Sequence, residues 1–208
     1  MDIIVFRIRP FLRTLFFRAL LAGILGLVPV SSLHASSLSP EEGALKSMGF
    51  LLFDDKEQAP ALKAPELSGE TVSLTEYRGK WVLLNFWATW CLPCRKEIPT
   101  LNALNERMKG HPVVLISVAM DYKSGQIRTF IRKIPVEYPI LLGRKGEIDD
   151  RYFGMGLPET YLIDPGGVLI GKVTGPRNWA SSEALALFGS LLSARPEKRL
   201  FSYQKGPS

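Results

Sequence analysis

The chain has only two cysteines, Cys91 and Cys94, and they stand three positions apart at the end of a long apolar run. Two cysteines placed at random would show this separation in about one arrangement in a hundred, so the spacing carries information. A disulfide across so short a loop constrains little of the unfolded chain, and two cysteines alone cannot complete a four-ligand zinc site. The pair therefore predicts redox chemistry rather than a structural role.

The segments on either side of the cysteines predict a buried strand followed by a helix. Residues 81–87 are almost continuously apolar, as in a central strand that is covered on both faces, and residues 91–109 have helical character. Unpaired N–H groups and the positive end of the helix dipole would stabilise a thiolate at Cys91, and the i, i+3 spacing would place Cys94 on the same face. Cys91 is thus the predicted nucleophile and Cys94 the predicted resolving thiol. Half of a metal site is the alternative.

The other segments alternate between strand and helix patterns. We predict strands at 68–73, 113–119, 160–163 and 168–173, and helical segments at 74–77, 124–133, 148–153 and 181–194. This order predicts an α/β chain with a mixed central β-sheet and helices on both of its faces.

Residues 1–35 have the order of a secretory signal: arginines, an apolar run of 12 residues and a cleavage zone of small residues. Because a membrane span needs about 20 residues, we predict export with cleavage, and an uncleaved membrane anchor is the alternative. The rest divides into a linker with a short helix over 36–57, a single domain over 58–195 and a flexible tail over 196–208. The net charge of +6 comes partly from four arginines of residues 1–35. No stripe of basic residues indicates binding of nucleic acid.

Three stretches resemble the TlpA/ResA-like thioredoxin-fold proteins, namely 74–85, 86–99 with the cysteine pair, and 156–164. The last stretch is also similar to the thioredoxins of cytochrome c maturation. The resemblance covers about residues 58–194. It implies a thioredoxin fold, a redox-active Cys91–Cys94 disulfide without a further cofactor, and a periplasmic or other extracytoplasmic location, secreted or anchored.

The resemblance also assigns roles to individual residues. Leu157-Pro158 matches the position of the family's cis-proline, and the family pairs the backbone of the preceding residue with an extended substrate, a role that falls to Leu157. Family members have an acidic residue at the position of Glu97, where it tunes the pKa of the thiols or relays a proton from Cys94. A solvated helix glutamate is the alternative. Asn85 stands where cytosolic thioredoxins have a buried aspartate.

We assign substrate binding to Trp90, Leu92 and Pro93 beside the cysteines, together with Leu157, although core packing explains Trp90 equally well. A surface position is expected for Glu159. Neither histidine is placed as a ligand, and we predict no metal site.

These features predict an enzyme that reduces disulfides of partner proteins, of the cytochrome c or copper-site assembly type, and that draws electrons from a membrane donor. Strong oxidants of the superfamily place a histidine between the cysteines, and Leu92-Pro93 offers none, which favours reduction. The alternatives are a copper-binding assembly factor on the same fold, a peroxidase or a redox-silent docking module. Copper chaperones of the superfamily use a longer cysteine spacing with a distant histidine, and the peroxidase pattern Thr-x-x-Cys is missing.

Overall fold

The computed structural model describes residues 39–55, 57–121, 123–143, 148–152, 154 and 156–193. The predicted signal or anchor segment and the predicted tail lie outside the described residues. Within these ranges, no helix has both the length and the apolar character that a membrane crossing requires.

The described residues form four α-helices, eight β-strands and two short 3₁₀ helices. The α-helices are α1 (Pro40–Ser47), α2 (Leu92–Met108), α3 (Ser124–Ile131) and α4 (Ser182–Ser193), and the 3₁₀ helices are Leu74–Tyr77 and Asp150–Tyr152. The strands are β1 (Leu51–Leu52), β2 (Lys63–Pro65), β3 (Thr71–Ser73), β4 (Trp81–Trp87), β5 (Val113–Ala119), β6 (Ile140–Leu142), β7 (Glu159–Ile163) and β8 (Leu169–Thr174).

Six strands form one sheet in the order β1-β8-β7-β4-β5-β6, and β2 and β3 form a separate hairpin. The strand β4 runs parallel to β5 and antiparallel to β7, so the sheet is mixed. This confirms the predicted mixed central sheet. The apolar runs at 81–87 and 113–119 became the two longest strands, with the predicted bounds.

The two faces of β4 belong to different cores, because side chains alternate along a strand. Trp81 and Leu83 pack with residues of α1, α2 and α4. Val82, Leu84 and Phe86 pack on the opposite face with residues of the hairpin and of both 3₁₀ helices. Helices therefore cover both faces, but the helices α1, α2 and α4 pack on one of them, and the other is closed mainly by the hairpin and the 3₁₀ helices.

The linker predicted over 36–57 is wrong for most of its length. Ser39 begins α1 with a capping box, and the buried side chains of Leu45, Met48 and Phe50 join the core beneath α4. The strand β1 then extends the sheet beside β8. The helix ends at Ser47 because the chain turns at Gly49, whose φ of +79° suits glycine. Apolar residues in this segment bury surface and make it part of the domain.

Candidate active site

Cys91 and Cys94 form a disulfide at the junction of β4 and α2. Cys91 is the N-cap residue of α2, and the backbone N–H of Cys94 donates to the sulfur of Cys91 at 3.2 Å. Cys91 is 5% exposed and Cys94 is 1% exposed. The cysteine that starts the helix is therefore the more exposed residue, and the helix N-terminus favours negative charge on its sulfur.

The turn that leads into the disulfide is fixed by Asp121, for which the sequence analysis found no role. The backbone N–H of Thr89 donates to one carboxylate oxygen of Asp121 at 3.0 Å, and the Thr89 hydroxyl donates to the other. The N–H of Cys91 donates to the carbonyl of Ala88 at 3.1 Å. These bonds join the end of β4 to the residue that follows β5, so two parallel strands position the cysteine pair.

Glu97 lies on α2 one turn beyond Cys94, and it is only 2% exposed, so the interpretation as a solvated helix glutamate is wrong. Its Oε1 accepts from the indole N–H of Trp179 at 2.6 Å and from the backbone N–H of Arg177 at 3.0 Å. Its Oε2 accepts weakly from the Asn85 amide at 3.4 Å. Burial raises the pKa of Glu97, and these donors oppose the increase only in part.

The surroundings of Glu97 contain little that compensates for a negative charge. Among the described residues Glu97 has no ion pair, and the Arg177 guanidinium lowers the pKa of Glu97 only as a weaker influence. The buried Tyr138 hydroxyl has no hydrogen-bond partner within the described ranges, and burial together with the charge of Glu97 raises its pKa. Glu97 is thus a carboxyl group that holds a proton more readily than usual, next to the resolving cysteine.

Asn85 links Glu97 to the sheet. Its amide also donates to the hydroxyl of Thr160 on β7 at 2.9 Å, so two buried polar side chains face the helix from neighbouring strands. Asn85 therefore supplies a hydrogen-bond donor at the position where cytosolic thioredoxins have a buried aspartate. The carboxylate of this site comes from the helix instead.

The peptide bond between Leu157 and Pro158 is cis, as the resemblance implies. Leu157 is half-buried and packs against the cluster that contains both cysteines, and the carbonyl of Pro158 accepts from the N–H of Gly175 at 2.8 Å. No backbone group of the described residues pairs with that of Leu157. The structure therefore places Leu157 against the cluster that contains the disulfide.

Trp90 and Leu92 are 68% and 58% exposed, and Pro93 is exposed as well. Core packing is thus the wrong explanation for Trp90, whereas the buried Trp87 contacts Phe130 with ring centroids 5.4 Å apart. Two large apolar side chains next to Cys91 face outward, which is typical of a surface that other molecules cover.

Glu159 is buried on the opposite face of the sheet, so its expected surface position is wrong. It is 1% exposed, and Oε1 lies 3.0 Å from the ammonium group of Lys172 on β8. The hydroxyl of Thr174 donates to the same oxygen at 3.1 Å. Glu159 is therefore the partner of a lysine in the sheet.

No group of three or more His, Cys, Asp or Glu side chains lies close enough to hold a metal ion within the ranges that the structure describes. The contacts of the cysteines are with backbone groups and apolar side chains.

A cysteine pair at the N-terminus of a helix, next to a cis-proline on a mixed sheet, defines a thioredoxin-fold protein of thiol–disulfide exchange. The chain belongs to the AhpC/TSA family, whose family model matches residues 56–171.

Named relatives point to the same chemistry. The thiol-disulfide oxidoreductase ResA of Bacillus thuringiensis is 34% identical over 119 residues, which cover 57% of this chain and 69% of ResA. The thioredoxin-like protein YneN of Bacillus subtilis is 42% identical over 118 residues, covering 54% of this chain and 67% of YneN. A Chlorobium tepidum structure assigned as thiol:disulfide interchange protein DsbE superposes with a TM-score of 0.61 at 28% identity, covering 67% of this chain and 99% of the other. The chain is a thiol–disulfide oxidoreductase with a thioredoxin fold.

Proposed function

We propose that this oxidoreductase works outside the cytoplasm as a reductase of disulfides in partner proteins, through Cys91 and Cys94, during the assembly of cytochrome c or copper sites. The observation that carries the proposal is the placement of a buried carboxyl group, Glu97, one helical turn beyond the less accessible cysteine. A reductase needs a base there, because the second cysteine must lose its proton before it can attack.

In the first step the Cys91 thiolate attacks one sulfur of the partner's disulfide. A bond forms between Cys91 and that sulfur, the partner's S–S bond breaks, and the other partner sulfur leaves as a thiolate. The N–H of Cys94 and the start of α2 stabilise the attacking thiolate. Trp90, Leu92 and Pro93 contact the partner at this stage, and the backbone of Leu157 pairs with it next to cis-Pro158.

In the second step Cys94 passes its proton to the Glu97 carboxylate and attacks the sulfur of Cys91. The bond between Cys91 and the partner breaks, the partner's second sulfur leaves as a thiolate, and the chain keeps the Cys91–Cys94 disulfide. The partner has gained two electrons, and its two thiolates take up two protons, one from Glu97 and one from solvent. A raised pKa suits Glu97 to this transfer, because it brings the affinities of the carboxyl group and the thiol for the proton closer together.

Return to the dithiol requires a donor of two electrons, for which we propose a membrane protein. The signal-like residues 1–35 support export, with either release or tethering to the membrane. Leu92-Pro93 between the cysteines supports the reducing direction, because neither side chain stabilises the reduced thiolate as a histidine would.

The test is the equilibrium reduction potential of the cysteine pair. The full chain is equilibrated with glutathione or dithiothreitol buffers, and the reduced fraction is counted from the mass added by thiol alkylation. A potential of about −250 mV or lower, near the thioredoxin end of the range, is expected of a dedicated reductase. A potential near −120 mV would reject the reducing direction and make the chain an oxidant or isomerase.

A further inference from the structure

A cluster of cations lies beside the disulfide, and the proposed chemistry does not use it. Its six exposed members stand in the first turn of α2 and on or next to α3; they are Arg95, Lys96, Lys123, Arg128, Arg132 and Lys133. We call these six residues the basic patch.

Side-chain contacts hold the two parts of the basic patch together. The Arg95 guanidinium lies over the ring of Phe130, 5.8 Å from its centroid, and Phe130 in turn contacts Trp87. Ile127 is fully buried in the cluster that contains Cys91 and Cys94. The helix α3 therefore packs against the cluster that contains the cysteine pair, and its cations stand on a helix that contacts this cluster.

The cations of the basic patch have no carboxylate partners among the described residues. Arg128 donates to the carbonyl of Leu67 at 2.5 Å, and Arg132 donates to the hydroxyl of Thr129 at 3.1 Å. The sequence has no acidic residue from 122 to 136, and the carboxylate of the preceding Asp121 is occupied by Thr89. The positive charge of the patch is thus left for solvent or for another molecule.

Two features of the arrangement oppose the stability of α3. Arg128 and Arg132 stand four positions apart, where like charges repel each other along a helix. Lys123 occupies the N-cap position without a side-chain capping bond, at the end of the helix where positive charge is unfavourable. The helix dipole favours Arg128, Arg132 and Lys133 at the C-terminal end of α3, so helix stability explains part of the basic patch but not Lys123.

The patch also concentrates the charge of the domain. The leader segment 1–35 has four arginines and one aspartate, so residues 36–208 carry a net charge of +3. The basic patch alone carries six positive charges, and the rest of residues 36–208 is consequently net negative.

The exposed side chains of Trp90 and Leu92 adjoin the basic patch through Cys91 and the first turn of α2. An apolar centre with a charged rim is the usual anatomy of a protein–protein interface, and tryptophan is among the residues that contribute most binding energy there.

We propose that Trp90, Leu92 and the basic patch form a docking surface for a partner protein whose disulfide is flanked by acidic side chains. This inference rests on the proposed exchange through Cys91 and Cys94, and it adds the chemistry by which partners are selected. Opposite charge accelerates the encounter of the two proteins and slows that of partners with basic flanks.

The experiment compares three synthetic peptides that share one intramolecular disulfide loop. Four aspartates flank the loop in the first peptide, four serines in the second and four lysines in the third. The fully reduced full-length chain is mixed with each peptide, and the second-order rate constant of peptide reduction is measured at low and at high salt. We expect the acidic peptide to react on the order of tenfold faster than the basic one at low salt, and the ratio to fall towards one at high salt.

A matched pair of variants locates the effect. R128Q/R132Q/K133Q removes three cations of the patch but leaves Arg95 and Lys96, because those two also influence the thiols of α2. K46Q/K63Q/K80Q removes three exposed cations elsewhere and produces the same change of net charge. The preference for the acidic peptide should shrink at least threefold in the first variant and persist in the second. The salt dependence of the unmodified chain tests the same point if the first variant folds poorly.

The results separate the inference from the proposed function. No reduction of the serine peptide would reject the proposed function itself. Reduction of all three peptides at equal rates would leave that function intact and reject the docking surface. Equal loss of preference in both triple variants would also reject it, because net charge alone would then explain the effect. Equal peptide rates, together with phosphatidylglycerol-vesicle binding that only the patch variant loses, would assign the patch to lipid instead.

Discussion

Two buried glutamates lie on opposite sides of the central sheet, and their surroundings differ. Glu159 on β7 has a lysine ammonium group 3.0 Å away and a hydroxyl donor. Glu97 on α2 has neutral donors only, namely an indole N–H, a backbone N–H and a distant amide. Both carboxyl groups are about equally hidden from water. The difference between them is the presence of a counter-charge.

A counter-charge decides what a buried carboxyl group can do. A carboxylate beside an ammonium group is held in its charged form, whereas one without a cation favours its neutral form and exchanges a proton more easily. Only Glu97 lies on the helix of the cysteines. The comparison thus assigns Glu159 to the stability of the sheet and Glu97 to the chemistry, and each assignment makes predictions that the other would not.

The largest effect is expected on stability, when the ion pair between Glu159 and Lys172 is broken. Replacement of its partner, Lys172→Met, leaves the carboxylate buried without a cation and should lower the free energy of unfolding by about 3 kcal/mol, measured by urea titration. We take the lower end of the usual range because the lysine side chain is 23% exposed. The rate of disulfide exchange by the folded variant should stay within about twofold of the unmodified chain.

The double variant E159Q/K172M is the control for that experiment. It removes both charges, so most of the lost stability should return. A single variant that keeps its stability but loses exchange activity would reverse the two assignments.

The second effect concerns the resolving step. Glu97→Gln keeps the size of the side chain but cannot take a proton, so attack by Cys94 on the mixed disulfide should slow about a hundredfold at neutral pH. Acid quenching of single turnovers, followed by mass analysis, should show a mixed disulfide at Cys91 that persists. Formation of that intermediate should keep its rate.

Glu106→Gln, an exposed substitution on the same helix, is the matched control and should leave both steps unchanged. Equal slowing of formation and resolution in E97Q would contradict a role at Cys94 and indicate a change in the thiolate of Cys91.

The sequence predicts those strands and helices whose residues form a clear local pattern of apolar and polar positions. The strands β4 and β5 are seven-residue apolar runs, and their predicted bounds are those of the structure. The helix α2 differs by one residue at each end, because Cys91 and Lys109 are its caps. The strand β6 was not predicted, because three residues are too few to show a periodicity.

The sequence could not predict the long-range contacts that distinguish the two glutamates. Trp179 and Arg177 reach Glu97 from a loop 82 and 80 positions away, and no local pattern marks that loop as part of the site. Lys172 faces Glu159 only through the antiparallel register of β7 and β8. A charged residue at the start of a strand that is buried on both faces could have indicated that a partner exists, but not which one.

The smallest effect is expected in the pH dependence of the free energy of unfolding. It tests most directly whether the missing counter-charge makes Glu97 differ from Glu159. Because burial raises the pKa of Glu97 in the folded chain, its carboxyl group keeps its proton after the unfolded chain has lost it. This stabilisation is complete below the ordinary glutamate pKa of about 4.3 and is lost as the pH rises through the folded-state pKa, at about 1.4 kcal/mol per unit of pKa difference. The free energy of unfolding of E97Q should therefore fall less than that of the unmodified chain over this range, measured by urea titration of the oxidised proteins.

The other groups near Glu97 do not obscure this comparison. Tyr138 stays neutral because its own pKa is raised, and the cysteines of the disulfide do not titrate. Glu183→Gln serves as a control of opposite sign: donors at the start of α4 lower the pKa of Glu183, so its contribution is lost as the pH falls. If the free energy of unfolding changed with pH in the same way for E97Q and for the unmodified chain, Glu97 would ionise like an ordinary glutamate. The missing counter-charge would then have no consequence, and the proton transfer from Cys94 would need another acceptor.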